Sequence, residues 1–277
     1  MLIKLYPSSL NMKRNCAIFT IVKNESFFID IWLNHYLKFF SKQDIYILDH
    51  ESEDQSFMNS IKDKANVIKI YNNVIFDHLW LSDTVNSFHS FLLKSYKKIL
   101  FTEIDELVTV RNGSKYLDLK QYLEEFDGEI ARTKGYNVCH FPFIGEGPID
   151  LQIPLLHQRK YWWRGNTIVS GETNTNVYWY DKPLLTSIKV EYNPGFHTLK
   201  SHEDTVSDPD FLLVHLHCID IDQLFIRKNS KPKENFASDL KADFHNMPVS
   251  KEELENLKNA TPGVWNEIIP DDQKNII

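Results

Sequence analysis

The chain has 277 residues and a formal net charge of −7; 42% of its residues are hydrophobic and 25% are charged. This composition is typical of a globular protein with a sizeable core, and the acidic balance argues against a nucleic-acid-binding protein with a basic surface. Cys16, Cys139 and Cys218 lack zinc-ligand spacing and are predicted to be reduced core thiols. Without a signal-peptide pattern or an apolar run of transmembrane length, we expect a cytoplasmic protein with at most peripheral membrane contact.

The first hundred residues alternate between predicted strands and helices. Continuous apolar runs of strand length predict strands at residues 16–22, 44–49, 67–71 and 99–102. Apolar residues at helical spacing predict helices over Phe28–Phe39 and Leu81–Leu92, and Ser52 with Gln55 resembles a capping box for a short helix between them. Such alternation predicts an α/β fold, in which helices sandwich a mostly parallel sheet.

Polar residues follow three of these predicted strands, at Lys23-Asn24-Glu25, Asp49–Asp54 and Glu103–Glu106. The carboxyl ends of parallel strands meet at one edge of a sheet, so we expect these three groups to line one crevice. No glycine-rich loop follows the first strand, which argues against a dinucleotide-binding Rossmann domain or a P-loop enzyme.

Glu103 and Asp105 lie two residues apart at the end of the strand at 99–102. In an extended segment they would share one face, and two carboxylates on one face are suited to a hard divalent cation. A solvated loop, or the start of a helix that favours acidic residues, explains the same pattern.

After residue 106 the regular alternation ends. Asp118 with Gln121 resembles a helix cap, residues 129–132 predict a strand, and the long irregular stretch at 139–165 is of a kind that is usually functional. Later strands are predicted over Leu184–Val190 and Phe211–Ile219, and a helix capped by Ser250 and Glu253 follows. We expect one domain over residues 1–228 and a helical extension over residues 229–277 packed on it.

Taken in order, the motifs resemble the family-2-like glycosyltransferases of the GT-A fold. The resemblance covers roughly residues 16–228. Its segments are Val22-Lys23-Asn24-Glu25, Trp32 with His35-Tyr36, Ile47-Leu48-Asp49 with Ser52 and Asp54, Thr102-Glu103-Ile104-Asp105-Glu106-Leu107, Glu146-Gly147-Pro148-Ile149-Asp150, Pro154-Leu155-Leu156 with Gln158-Arg159, Tyr180-Asp181-Lys182-Pro183-Leu184, Pro194-Gly195-Phe196-His197 and Leu213-Val214-His215-Leu216-His217. One departure is Glu103, where the family's metal motif begins with Asp.

The resemblance implies an enzyme that transfers a sugar from a nucleotide diphosphate donor to a glycan, glycolipid or glycoprotein acceptor with Mn²⁺ or Mg²⁺. Asp105 would be the main metal ligand, Glu103 would contact the metal or the donor ribose, and His197 would be a late metal ligand. The nucleotide would be bound by residues that follow the first two strands and by one later lysine: Val22, Lys23, Asn24, Glu25, Asp49 and Lys182. His215 and His217, two residues apart on a predicted strand, also suit a site.

An inverting transfer needs a carboxylate that takes the proton of the acceptor hydroxyl. Glu146 and Asp150 are the leading candidates because they lie in the irregular stretch after the metal motif, and Glu203 and Asp204 are the alternatives. Two other functions remain open: a nucleotidyltransferase, and a non-catalytic domain that binds nucleotide sugars or glycans on a GT-A scaffold.

Overall fold

The structure is a computed structural model that describes residues 13–72, 77–164, 166–169, 172–202, 206–230, 249–263 and 266–277. Its strands are β1 (Arg14–Val22), β2 (Ile45–His50), β3 (Asn66–Ile70), β4 (Tyr96–Phe101), β5 (Glu106–Val110), β6 (Ile130–Cys139), β7 (Tyr161–Trp163), β8 (Asn166–Val169), β9 (Glu172–Tyr178), β10 (Pro183–Thr186), β11 (Ser207–His215) and β12 (Glu267–Ile268). Its helices are α1 (Ser26–Tyr36), α2 (Gln55–Ile61), α3 (His78–Leu92), α4 (Leu119–Glu125), α5 (Ile221–Asn229) and α6 (Lys251–Lys258). Within these ranges, no helix is long and apolar enough to cross a membrane.

The centre of the main sheet is parallel. Strands β3, β2, β1 and β4 lie side by side in that order and run in the same direction. Beyond β4 the sheet continues through β10, β6, β7 and β12 in antiparallel pairs. Strand β11 runs parallel to β6 and antiparallel to β5. The carboxyl ends of the four central strands therefore lie at one edge of the sheet.

Apolar cores cover both faces of this sheet. Alternate residues of β1 point to opposite faces: Ile18 packs in the core that contains α1, and Phe19 packs in the core that contains Val85 of α3. Both side chains are fully buried. The predicted α/β class, with a parallel central sheet between helices, is confirmed.

Several predicted boundaries differ from the observed ones. Helix α2 is capped by Asp54, whose carboxylate accepts a hydrogen bond from the Ser56 N–H, so the prediction that Ser52 caps it is wrong. Strand β10 ends at Thr186 and β11 ends at His215, and both are shorter at the carboxyl end than their apolar runs suggest. Val190, Leu216 and Ile219, beyond the ends of these strands, are buried without belonging to them, which apolarity alone does not reveal.

The C-terminal segment contains both a helix and a strand. The predicted capping box of α6 is confirmed, since Ser250 and Glu253 bond reciprocally. Strand β12 pairs with β7, and the adjacent Ile269 is fully buried. The predicted boundary between residues 228 and 229 falls in the last turn of α5, and residues 231–248 lie outside the described part of the chain.

Candidate active site

Asn24 joins the carboxyl ends of β1 and β2. Its backbone N–H donates to Ser52 Oγ at 2.9 Å, and its Oδ1 accepts from the N–H groups of Glu53 and Asp54 at 2.8 and 3.0 Å. Its φ of 54° is a left-handed conformation, which is uncommon for a residue other than glycine and is frequent at functional sites. The neighbouring Val22 is buried in the core, whereas Lys23 is exposed.

Asp49 contributes a buried acceptor at the end of β2. Its side chain is fully buried, and its Oδ1 accepts from the Ser52 N–H at 2.9 Å. Its Oδ2 has no hydrogen-bond partner among the described residues. The next residue, His50, packs against Trp80 with ring centroids 4.8 Å apart. An unsatisfied buried carboxylate oxygen is costly unless a ligand donates to it.

A tight turn between β4 and β5 holds Asp105. The Glu103 N–H donates to Glu106 Oε2 at 2.9 Å, which closes the turn. The Leu216 N–H donates to the Asp105 carbonyl at 2.8 Å, and Glu106 lies opposite His215 in the ladder between β5 and β11. This ladder places the end of β11 beside Asp105.

Two histidine nitrogens face the Asp105 carboxylate. His215 Nε2 lies 3.7 Å from Asp105 Oδ2, and His217 Nδ1 lies 3.4 Å from the same oxygen. His215 Nδ1 lies 2.9 Å from Asn137 Oδ1, so the N–H at Nδ1 donates to the amide and the Nε2 lone pair points to Asp105. All three candidate ligand atoms lie within 4.8 Å of one another.

The donor set fits a divalent metal ion. Burial lowers the pKa of both His215 and His217, so both imidazoles are neutral and able to ligate at pH 7. Burial opposes ionisation of Asp105, but Arg227 together with His215 and His217 outweighs it, so the pKa of that carboxyl lies well below its usual range. Ligands about 2.1 Å from one ion lie about 3.0–3.5 Å apart, close to the separations observed.

Arg227, in α5, contacts both this group and the N-terminus of α1. Its Nη1 donates to Asp105 Oδ2 and lies 3.1 Å from His217 Nδ1. Its Nε donates to Glu25 Oε1 at 2.8 Å. The guanidinium also lies over the Phe28 ring, 4.9 Å from its centroid. Glu25 was predicted to line the nucleotide pocket, and it lies beside the candidate metal site.

Lys182 lies between two carboxylates. Its Nζ is 2.5 Å from Glu103 Oε2 and 2.5 Å from Glu106 Oε1. The lysine and Glu106 side chains are 1% exposed, and the Glu103 side chain is 37% exposed. Lys182 therefore offsets part of the negative charge of the turn. Glu103 pairs with this lysine and is not in the ligand group of Asp105.

His197, predicted as a metal ligand, lies outside that group too. Its Nδ1 is 2.6 Å from the Trp179 carbonyl, so the N–H at Nδ1 donates to this oxygen. The preceding Phe196 is buried and has a φ of 61°, which fixes the turn. The group of ligating side chains within the described ranges contains Asp105, His215 and His217, because β11 pairs with β5 and brings both histidines to the turn.

The two candidate catalytic bases stabilise a loop. Glu146 Oε2 accepts from the Phe141 N–H at 2.8 Å, and Oε1 accepts from the Lys160 N–H at 2.7 Å. The exposed Asp150 accepts from the Gln152 N–H at 2.8 Å. Both carboxylates thus have local structural partners. The alternatives Glu203 and Asp204 lie outside the described residues.

Sequence reasoning missed the roles of Asn137 and Arg227. Asn137 pairs with His215 across β6 and β11, and Arg227 lies 122 residues from Asp105 in the chain. No local motif connects such distant residues. The signal that was available is the basic residue in the last turn of an amphipathic helix that begins soon after His217.

No protein-family model matches this sequence. No curated protein is similar to it at a significant level.

The fold has distant likenesses among solved structures. A mannosyltransferase from Pyrobaculum calidifontis, in complex with GDP-Man and Mn²⁺, has 11% identity and a TM-score of 0.27, over 47% of this chain and 36% of that chain. The galactosyltransferase LgtC, in complex with donor and acceptor sugar analogues, has 15% identity and a TM-score of 0.29, over 62% and 58%. TarS of S. aureus has 14% identity and a TM-score of 0.35, over 74% and 37%. The ligands named are those of the neighbours.

Proposed function

We propose that this protein is a metal-dependent glycosyltransferase that uses a nucleotide diphosphate sugar. The observation that carries the proposal is the group of Asp105, His215 and His217 at the carboxyl edge of a parallel sheet. A divalent ion there would bind the negative charge that develops on the diphosphate leaving group. The sequence resemblance in the strand ends and metal motif supports the same reaction.

The metal is Mn²⁺ in this proposal. Asp105 offers one carboxylate, and His215 and His217 offer two neutral imidazole nitrogens. Mg²⁺ prefers oxygen ligands and retains its waters, whereas first-row transition ions accept imidazole nitrogen. Glu103, held by Lys182 and partly exposed, is assigned to the donor ribose and not to the metal.

The unsatisfied Asp49 Oδ2 supports a nucleobase site at the carboxyl end of β2. A carboxylate accepts hydrogen bonds and cannot donate them, so Asp49 would bind a donor of the base, such as the ring N–H of uracil or guanine. Replacing Asp49 with Asn would add a donor at this point. We expect Asp49→Asn to weaken binding of UDP or GDP about tenfold, measured by calorimetry with Mn²⁺ present.

The acceptor in this proposal is a carbohydrate, and transfer is inverting. Glu146 and Asp150 remain the proposed bases, although each has a structural partner in its loop. Those partners favour a second candidate function, a non-catalytic domain that binds nucleotide sugars. Mn²⁺-dependent binding of a nucleotide sugar, with neither hydrolysis nor transfer to added glycans, would support that second function.

The test combines binding and turnover. Thermal shifts and calorimetry with UDP, GDP and ADP sugars, each with Mn²⁺ or EDTA, should identify a donor that binds only with the metal. Asp105→Asn should abolish that binding and the release of nucleoside diphosphate, while the exposed Asp127→Asn should leave both unchanged. Metal-independent binding, or wild-type behaviour of Asp105→Asn, would refute the proposal.

A further inference from the structure

Arg227 contacts two of the three candidate metal ligands. Its Nη1 donates to Asp105 Oδ2, the oxygen that also faces both histidines. The same Nη1 lies 3.1 Å from His217 Nδ1, at hydrogen-bond distance from the ring lone pair. A cationic side chain is thus already bound to these ligands.

Arg227 and a divalent ion exclude each other from this position. A neutral imidazole nitrogen has one lone pair, so His217 Nδ1 can accept from the guanidinium or ligate a metal, but it cannot do both. A dication bound to Asp105 would also repel a guanidinium in contact with the same carboxylate oxygen. Metal binding by Asp105, His215 and His217 therefore requires Arg227 to leave Asp105.

Glu25 would keep the displaced guanidinium close. It accepts from Arg227 Nε at 2.8 Å and is the N-cap residue of α1, outside the ligand group. Once Asp105 is taken by the metal, the Nη donors lose a charged acceptor while Nε keeps its own. The free Nη donors would then lie beside a dication, and an anion could bind both of these positive groups. The planar fork of the guanidinium suits phosphate oxygens as acceptors.

We propose that Arg227 is an exchangeable counter-ion of the metal site, which balances Asp105 until the metal displaces it and then binds the donor diphosphate. This inference rests on the proposed function. Arg227 would then have two opposite effects. It opposes binding of the metal in the absence of nucleotide, and it supports binding of the nucleotide once the metal is present.

The test measures the two ligands separately on folded, full-length protein. Free Mn²⁺ is followed by electron paramagnetic resonance as protein is added without nucleotide, and UDP and GDP are then titrated at saturating Mn²⁺. Arg227→Met should bind Mn²⁺ about tenfold more tightly and the nucleoside diphosphate about tenfold more weakly than wild type. Arg111→Met is the control: it also removes one positive charge, from a surface ion pair with Asp210, and should change neither affinity.

The two roles of Arg227 can fail separately. If Arg227→Met binds Mn²⁺ no more tightly than wild type, Arg227 is not a counter-ion that the metal displaces. If its nucleotide affinity is unchanged, Arg227 does not contact the diphosphate. Weakening of both ligands would show a merely structural role. Arg227→Lys keeps the charge but lacks the fork that reaches Asp105 and Glu25 together, so it should bind Mn²⁺ more tightly and the nucleoside diphosphate more weakly than wild type, each by less than tenfold. It provides the test if Arg227→Met does not fold. Wild-type protein that binds neither ligand refutes the proposed function instead.

Discussion

Lys182 carries one positive charge between two carboxylates. Burial raises the pKa of Glu106, the nearby Glu103 adds to that effect, and Lys182 opposes both. Burial lowers the pKa of Lys182, but the two glutamates outweigh it and the net shift is upward, so the lysine stays charged. Lys182 therefore stabilises the ionised carboxylates of the turn that holds Asp105.

Lys182→Met should destabilise the protein by about 3–5 kcal/mol at pH 8, because it leaves a buried carboxylate uncompensated. The loss should be smaller at pH 5, where Glu106, with its raised pKa, is protonated. Urea unfolding at the two pH values measures both effects. The double variant with Glu106→Gln should recover part of the loss, and equal losses for the single and double variants would contradict this account.

A metal-site residue could be predicted from the sequence where neighbouring residues in the chain identify it. Asp105 follows an apolar strand within a short motif, and the structure places it at the sheet edge beside two histidines. The choice between His197 and the pair His215 and His217 depends on the pairing of β11 with β5. Strand pairing between such distant segments is set by packing of the whole sheet, and no local pattern reveals it.

At the scale of elements, every strand of the parallel half of the sheet was predicted, whereas beyond β4 only β6, β10 and β11 were. Strand β1 and helix α1 have continuous apolar runs and helical spacing, respectively, which identify them. Strand β5 was missed because it follows β4 after only four residues, and its first residue is the acidic Glu106. The hairpin of β8 and β9 is rich in polar residues, which hides the strand pattern.

Gly135, in β6, allows the turn before β10 to approach the sheet. A Cβ at this residue would lie 2.0 Å from the Tyr180 carbonyl oxygen, and the Gly135 N–H donates to Asp181 Oδ1 at 2.9 Å. Gly135→Ala should therefore destabilise the protein by about 2–3 kcal/mol, because backbone has to move.

The matched control is Gly147→Ala, whose Cβ would meet nothing within 4 Å. Its effect on unfolding should be within about 0.5 kcal/mol of zero. Equal unfolding midpoints in urea for the two alanine variants would show that the close approach of Tyr180 to β6 is not required.

For the whole molecule, two buried histidines predict how stability depends on pH. Burial lowers the pKa of His35, which lies in α1, and of His89, which lies in α3, to about 4. Their Nε2 atoms bond Val108 O at 2.8 Å and Thr186 Oγ1 at 2.6 Å. Each stays neutral in the folded protein at a pH where the unfolded chain already binds a proton.

Because the unfolded state binds more protons below pH 6.5, stability should fall as pH falls from 6.5 towards 4. The loss is about 1.6 kcal/mol for each histidine between pH 6.5 and 5. His89→Gln should remove the contribution of one histidine to the pH dependence of the unfolding free energy, as measured by urea unfolding across this range. A variant with the wild-type slope would contradict the assignment of His89.

The central claim is that Asp105, His215 and His217 hold a divalent metal ion. Electron spin-echo envelope modulation of Mn²⁺-loaded protein detects imidazole nitrogen bound to the ion. We expect couplings from two imidazoles in wild type, one in His215→Gln and in His217→Gln, and two in His197→Gln. A wild-type spectrum without nitrogen coupling, or a coupling that is lost only in His197→Gln, would contradict this site.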